Sequence, residues 1–235
     1  MSNWAAKRFW KAATVQDAAD GFTVFLDGRA VKTPAKAALI VPTRALAEAI
    51  AQEWDAQGET VDPNTMPVTR GANAALDKVA IQHAEVAQNL AAYGDSDLLC
   101  YRAAQPQELV MRQAEAWDPL LDWAHETFQA RLHPRTGVMH QAQDSQALAR
   151  LSARVHALTP FQMAGFHDLV ALSGSLILGL AATEDARPIE VLWALSRLDE
   201  EYQIEQWGHD EEAAELVEIK RAAFVAAHRF YHMAS

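Results

Sequence analysis

Three groups of side chains in this sequence have the types and spacing to do chemistry. Asp122-x-x-His125 sets a carboxylate and an imidazole one helical turn apart, the start of a metal-ligand pair or of acid–base hydrolysis. Cys100 is the single thiol, a nucleophile if its pKa is lowered. The third group is acidic and aromatic: Asp199, Glu200, Glu201 and Glu205, with Trp193 a heptad before Glu200 and Trp207 a heptad after it. Such a set binds rather than reacts, because indoles supply contact area and carboxylates steer basic partners.

The first two groups are weak. A di-iron centre needs Glu-x-x-His elements on two facing helices, and Asp122-x-x-His125 is one imperfect copy. The nine histidines are otherwise scattered, so a surface or core-edge histidine accounts for His125. Leu98, Leu99 and Tyr101 surround Cys100 with apolar chain, the setting of a buried thiol. A lone cysteine leaves no intramolecular disulfide and no thiolate zinc site, and it fits a reducing compartment. The ten glycines never form Gly-x-Gly-x-x-Gly, and phosphate-binding loop and nucleophile elbow are both missing. A binding protein without metal or cofactor is the favoured reading. A small metal-dependent or hydrolytic enzyme built on Asp122 and His125 stays as the alternative.

These groups need elements to position them. Half of the 235 residues are hydrophobic, enough to bury the core of one large domain or two small ones. Phe22 to Leu26 reads as a strand running into Asp27-Gly28, a strong hairpin signal, with residues 30–33 returning and 38–41 forming a third strand. Thr43 caps a helix carrying Leu46, Ala47, Ile50, Ala51 and Trp54 at helical spacing, closed by Gly58. Residues 60–69, with two prolines, read as an extended connection. From there the periodicity is helical to the end, over 71–92, 106–131, 144–157, 160–182, 188–207 and 210–232. Thr159-Pro160 is a cap followed by proline at the first helical position, Gly208 is a stop, and Asp210 caps the last helix. The expected fold is α+β: a small N-terminal domain (1–70) of antiparallel β-strands and a helix, then a larger all-helical domain (71–235).

Helix 188–207 carries the third group. Val191, Leu195, Leu198 and Tyr202 form one apolar face, and Ile189, Leu192, Trp193, Ile204 and Trp207 a second. Glu190, Arg197, Glu201 and Glu205 fill the polar stripe between them, and Arg197–Glu201 reads as an ordinary i,i+4 pair. Glu200 falls between Trp193 and Trp207, a costly place for a carboxylate unless it is paired or at the rim. Ala171, Ser175 and Gly179 form a small-residue stripe for close helix packing or a shallow groove. Of seven tryptophans, Trp54, Trp117 and Trp123 are expected in the core, and Trp4 and Trp10 exposed for contact.

Excess acid, 31 against 20 basic residues and a formal charge of −11, argues against nucleic acid as a partner. The most apolar run, residues 169–182, is short of the ~20 residues that span a bilayer, so no membrane insertion is expected. The N-terminus has neither a signal-peptide core nor the length of a transit peptide.

Several segments together resemble a known family. Arg8-Phe9-Trp10-Lys11, Leu26-Asp27-Gly28-Arg29 followed by Lys32-Thr33-Pro34, Glu53-Trp54-Asp55-Ala56-Gln57 and Met66-Pro67 match its N-terminal half. Asp97 to Arg102, Gln113 with Trp117-Asp118-Pro119 and Trp123, and Asp199-Glu200-Glu201-Tyr202-Gln203 with Trp207-Gly208 match the rest. The chain is similar, over about residues 8–215, to the assembly chaperones of the F-type ATP synthase that attend the alpha subunit of the catalytic head. The resemblance implies a non-enzymatic chaperone that binds free alpha subunit and shields its beta-facing surface until the beta subunit replaces it. It implies a functional acid among Asp199, Glu200 and Glu201, with Trp193, Trp207 and Glu205 completing the expected client-binding set. A bacterial member, cytoplasmic and monomeric when free, is the expectation.

Overall fold

The computed structural model describes residues 7–137, 139–208 and 210–235. The chain forms two compact units. The first contains the described residues up to His83, with Thr159–Gly165 and Arg229–Ser235 added from later in the chain; the second holds Ala84–Leu158 and Phe166–His228. A division at 70/71 would cut a helix of the first unit.

In the first unit β1 (Ala13–Ala18) pairs antiparallel with β2 (Gly21–Leu26), Ala13 opposite Leu26 and Ala18 opposite Gly21. β3 (Arg29–Ala30) and β4 (Ile40–Val41) pair with the other side of β2. The Asp27-Gly28 turn has φ of 46° and 84°, the two left-handed residues that a tight hairpin requires. β1 is a strand that hydropathy alone does not reveal, because its burial alternates only between half-buried and exposed. α1 (Arg44–Asp55) starts at Thr43, whose Oγ1 accepts from Leu46 N at 3.2 Å, and ends three residues before Gly58. Val24, Leu26, Leu39, Val41, Leu46, Ile50 and Ala72 make the core with Trp10 and Phe230.

Trp10 corrects the expectation of an exposed contact: it is buried edge-on against Trp54, 5.1 Å between ring centroids. Trp4 lies outside the described residues. Residues 60–69 are not wholly extended, since α2 (Pro67–Ala74) begins within them. Its N-terminus is capped from α1. Glu53 accepts from Val68 N, Thr69 N and Thr69 Oγ1, each at 2.7 Å. The expected helix 71–92 is interrupted by a π-helical turn, Ala75–Val79, where the Asp77 carboxylate accepts from Thr33 Oγ1 and Ala35 N.

The second unit is helical apart from one short parallel pair, β5 (Tyr101–Arg102) with β6 (Arg135–Thr136). Its helices are α3 (His83–Ala91, from Ala84), α4 (Gln107–Phe128), α5 (Ser145–His156), α6 (Pro160–Ser173, from Phe166), α7 (Leu176–Thr183), α8 (Ile189–Ser196), α9 (Leu198–Trp207) and most of α10 (Glu211–Met233). α7 is buried on all sides from Leu176 to Ala182 and packs on α4 and α8. Asp210 Oδ1 accepts from Glu212 N and Ala213 N, the cap expected for α10.

Two expected long helices are each broken in two. Residues 160–182 part at Gly174, whose φ of 69° ends α6, and Ser175 caps α7. The Ala171–Ser175–Gly179 stripe therefore does not exist as one face. Gly179 is small for a different reason, because a Cβ there would stand 2.6 Å from Val170 Cγ2. Asp97 is fully buried at this break. It accepts from Ser175 Oγ (2.7 Å), Ile177 N (2.9 Å) and Leu99 N (3.0 Å).

Candidate functional site

Residues 188–207 break at Arg197, which has φ −107° and ψ 5°. The periodicity of this stretch is continuous, so the cause lies in hydrogen bonding. Ser196 Oγ donates to Trp193 O (2.7 Å), and the Trp117 indole on α4 donates to Leu195 O (2.9 Å). Two carbonyls at the end of α8 are thus occupied by side chains. α9 restarts with Glu201 N on Arg197 O at 2.8 Å. It is tied to α4 by Asp199, whose Oδ1 accepts from Gln113 Nε2 at 2.7 Å; Gln113 Oε1 in turn accepts from Ala103 N at 2.9 Å.

Between α4 and the α8–α9 pair lies an open groove of about 580 Å³. Val191, Ala194, Leu195, Leu198 and Tyr202 line it from α8–α9, and Ala116 from α4. Around these apolar groups stand Glu190, Glu201 and Glu205 on one wall and Arg112 and Glu115 on the other. Arg112 crosses the groove: Nη1 donates to Glu205 Oε2 (2.7 Å), Nη2 to Glu108 Oε1 (2.8 Å), and the guanidinium lies 5.3 Å from the Tyr202 ring centroid. Glu205 first and Glu108 second hold the guanidinium in its charged form, raising its pKa. Glu190 accepts from Arg221 of α10, which it shares with Glu218. Glu115 and Glu201 meet no cation among the described residues. No histidine or cysteine is among the described residues lining the groove, so its chemistry is apolar contact bordered by negative charge.

The profile of the ATP12 chaperone protein family matches residues 7–125. The chain belongs to the ATP12 chaperone family. The crystal structure of Atp12 from Paracoccus denitrificans is 47% identical, covers 98% of this chain and 99% of its own, and superposes with a TM-score of 0.95. A lysine-for-aspartate mutant of the P. denitrificans protein matches with a TM-score of 0.96 at 47% identity over 100% of both chains. "Protein atp12, mitochondrial" from Schizosaccharomyces pombe is 26% identical over 226 residues, 89% of this chain and 76% of that protein. This is the family that the motifs resemble, and ATP synthase assembly is the coarse function that goes with it.

Against this ATP12 fold the expected client-binding residues separate. Glu201 and Glu205 line the groove; Asp199, Glu200, Trp193 and Trp207 do not. Trp193 is buried beside Phe224, and Trp207 is 88% exposed. Glu200 stands just after the break at Arg197 and is paired there. Its Oε1 accepts from Arg197 Nη1 at 2.8 Å, so Arg197 pairs at i,i+3 with Glu200 rather than at i,i+4 with Glu201. Arg112 and Glu115 belong to no motif in the sequence. The signal for them is an i,i+3,i+4 set of Arg112, Glu115 and Ala116 on the flank of the α4 face that carries Gln113, Trp117 and Leu120.

The other two chemical groups find different employment. Asp122 Oδ1 is paired with Arg131 at 3.0 Å. Cys100 is buried, and burial followed by the neighbouring Asp97 charge pushes its pKa up to about 12, leaving a thiol rather than a thiolate. Among the described residues no helix is long and apolar enough to cross a membrane.

Proposed function

We propose that the chain binds unassembled alpha subunit of the F-type ATP synthase catalytic head and covers its beta-facing surface until the beta subunit takes it. In this reading the α4/α8–α9 groove is the contact surface, with Glu115, Glu201 and Glu205 meeting basic groups of the client. Asp199 and Trp193 hold the groove's walls, and neither nucleotide nor metal takes part. The observation that carries the reading is an apolar floor left open to solvent beside two carboxylates without a cation. A folded chain gains nothing from either feature alone, whereas a transient partner gains contact area from the first and orientation from the second. The setting is a bacterial cytoplasm, supported by the likeness to the Paracoccus protein, and the free chaperone is a monomer.

Capture of purified alpha subunit by the immobilised chaperone tests this. Wild-type protein retains alpha subunit and releases it when beta subunit is added. Val191→Asp and Glu201→Lys each reduce capture about tenfold, the effect expected at an interface centre. Equal capture by both variants removes the groove from the function. Retention of alpha subunit in excess beta subunit removes the shielding role.

A further inference from the structure

The groove also restricts what kind of segment it can hold. We propose that its occupant is an amphipathic α-helix with an aliphatic stripe flanked on both sides by lysine or arginine. This rests on the groove being the client surface and names the chemistry of the client segment.

Every residue lining the groove lies in α4, α8 or α9, so the groove offers no strand edge to which a segment could add by main-chain hydrogen bonds. Even the break at Arg197 offers little, since the carbonyls of Trp193 and Leu195 are already taken by Ser196 and Trp117. Recognition must run through side chains. Val191 and Leu195 of α8 and Leu198 and Tyr202 of α9 line the groove together across the break, a row of apolar side chains on which a helix presenting anchors at i, i+3 or i+4, and i+7 can pack. Glu115 on α4 and Glu201 on α9 lie on opposite walls, which places positive charge on both flanks of the incoming stripe. Arg112 already illustrates the geometry. Its guanidinium sits between a carboxylate, Glu205, and an aromatic face, Tyr202, the same pair of contacts that a client arginine would seek.

The test measures binding of labelled peptides of about 18 residues, long enough to be helical, to the whole protein by fluorescence anisotropy. One peptide has leucines at i, i+4 and i+7 flanked by lysines. A second has the same composition scrambled, and a third has glutamate for lysine. The first should bind at least about tenfold tighter than the others and compete with alpha subunit. Glu115→Lys with Glu201→Lys should weaken it about tenfold, whereas Glu48→Lys with Glu59→Lys, an equal change of net charge elsewhere, should leave it within about twofold. Equal binding of the scrambled peptide, or equal loss from the two double reversals, overturns the inference. If the peptide behaves as expected but alpha subunit is neither captured nor competed, the helix-binding groove stands and the alpha-subunit reading falls. If alpha subunit is captured through a groove indifferent to the peptide, the reverse holds.

Discussion

At the N-terminus of α7 the Asp97 carboxylate is fully buried and accepts from a hydroxyl and two backbone N–H groups. On the groove rim, Glu115 and Glu201 stand in solvent with no cation against them. The same functional group is thus used in two ways within one unit. Where donors converge on an acid, the acid joins segments far apart in sequence, as Asp97 joins the 97–100 turn to α7. Where no donor is supplied, the charge is left for something outside the chain. The contrast separates residues whose loss should unfold the protein from residues whose loss should only disarm it.

The largest effect that would sharpen this contrast is expected from Asp97→Ala. It strands the Ser175 hydroxyl and the N–H groups of Ile177 and Leu99 in the interior, at about 3–5 kcal/mol of stability by urea unfolding. Glu201→Lys should leave the urea midpoint in place while lowering alpha-subunit capture. A similar loss of stability in both variants would erase the distinction.

Next comes pH. Burial outweighs the three hydrogen bonds to Asp97 and raises its pKa from 3.8 to about 6. A folded-state value above the unfolded one means that the fold prefers the protonated acid. The associated stability is complete below about pH 4 and is lost as pH rises through about 6, about 3 kcal/mol for a shift of this size. Unfolding curves of wild type and Asp97→Asn should therefore differ in slope between pH 4 and 6 and run parallel above it; parallel curves throughout would place the ionisation elsewhere.

A smaller effect is expected at the groove's back wall. Trp117→Phe frees Leu195 O and leaves space under α8, costing about 2 kcal/mol and loosening the break that shapes the groove. Thermal unfolding and client capture should both decline. The smallest change is Asp199→Ala. It removes one hydrogen bond to Gln113, worth about 1 kcal/mol, and should retain more alpha subunit than Glu201→Lys does. Stronger loss of capture in Asp199→Ala at unchanged stability would move Asp199 from the supporting set to the contacting one.

Much of the architecture is legible without coordinates, for local reasons. The Asp27-Gly28 turn, the Thr43 cap, the Thr159 cap and the Asp210 cap all act within three residues of themselves. The amphipathic faces of α4 and α5 depend only on spacing. The candidate site was half legible. Glu201 and Glu205 belong to the polar stripe that the spacing predicts, and Val191, Leu195, Leu198 and Tyr202 to one apolar face. Which of two apolar faces stays open could not be decided along one helix, because both look alike until neighbours are in place.

The sequence by itself determined the helical bulk of the chain, its β-containing beginning, most of its caps and, through ordered motifs, its family. Tertiary structure alone decided that Trp10 is buried by Trp54, that Asp199 serves Gln113, and that one apparent helix becomes α8 and α9. The physical reason is distance along the chain. Caps and turns are set by neighbours a few residues away, whereas the break at Arg197 depends on an indole donor 78 residues from the carbonyl it binds, a contact that no local pattern encodes.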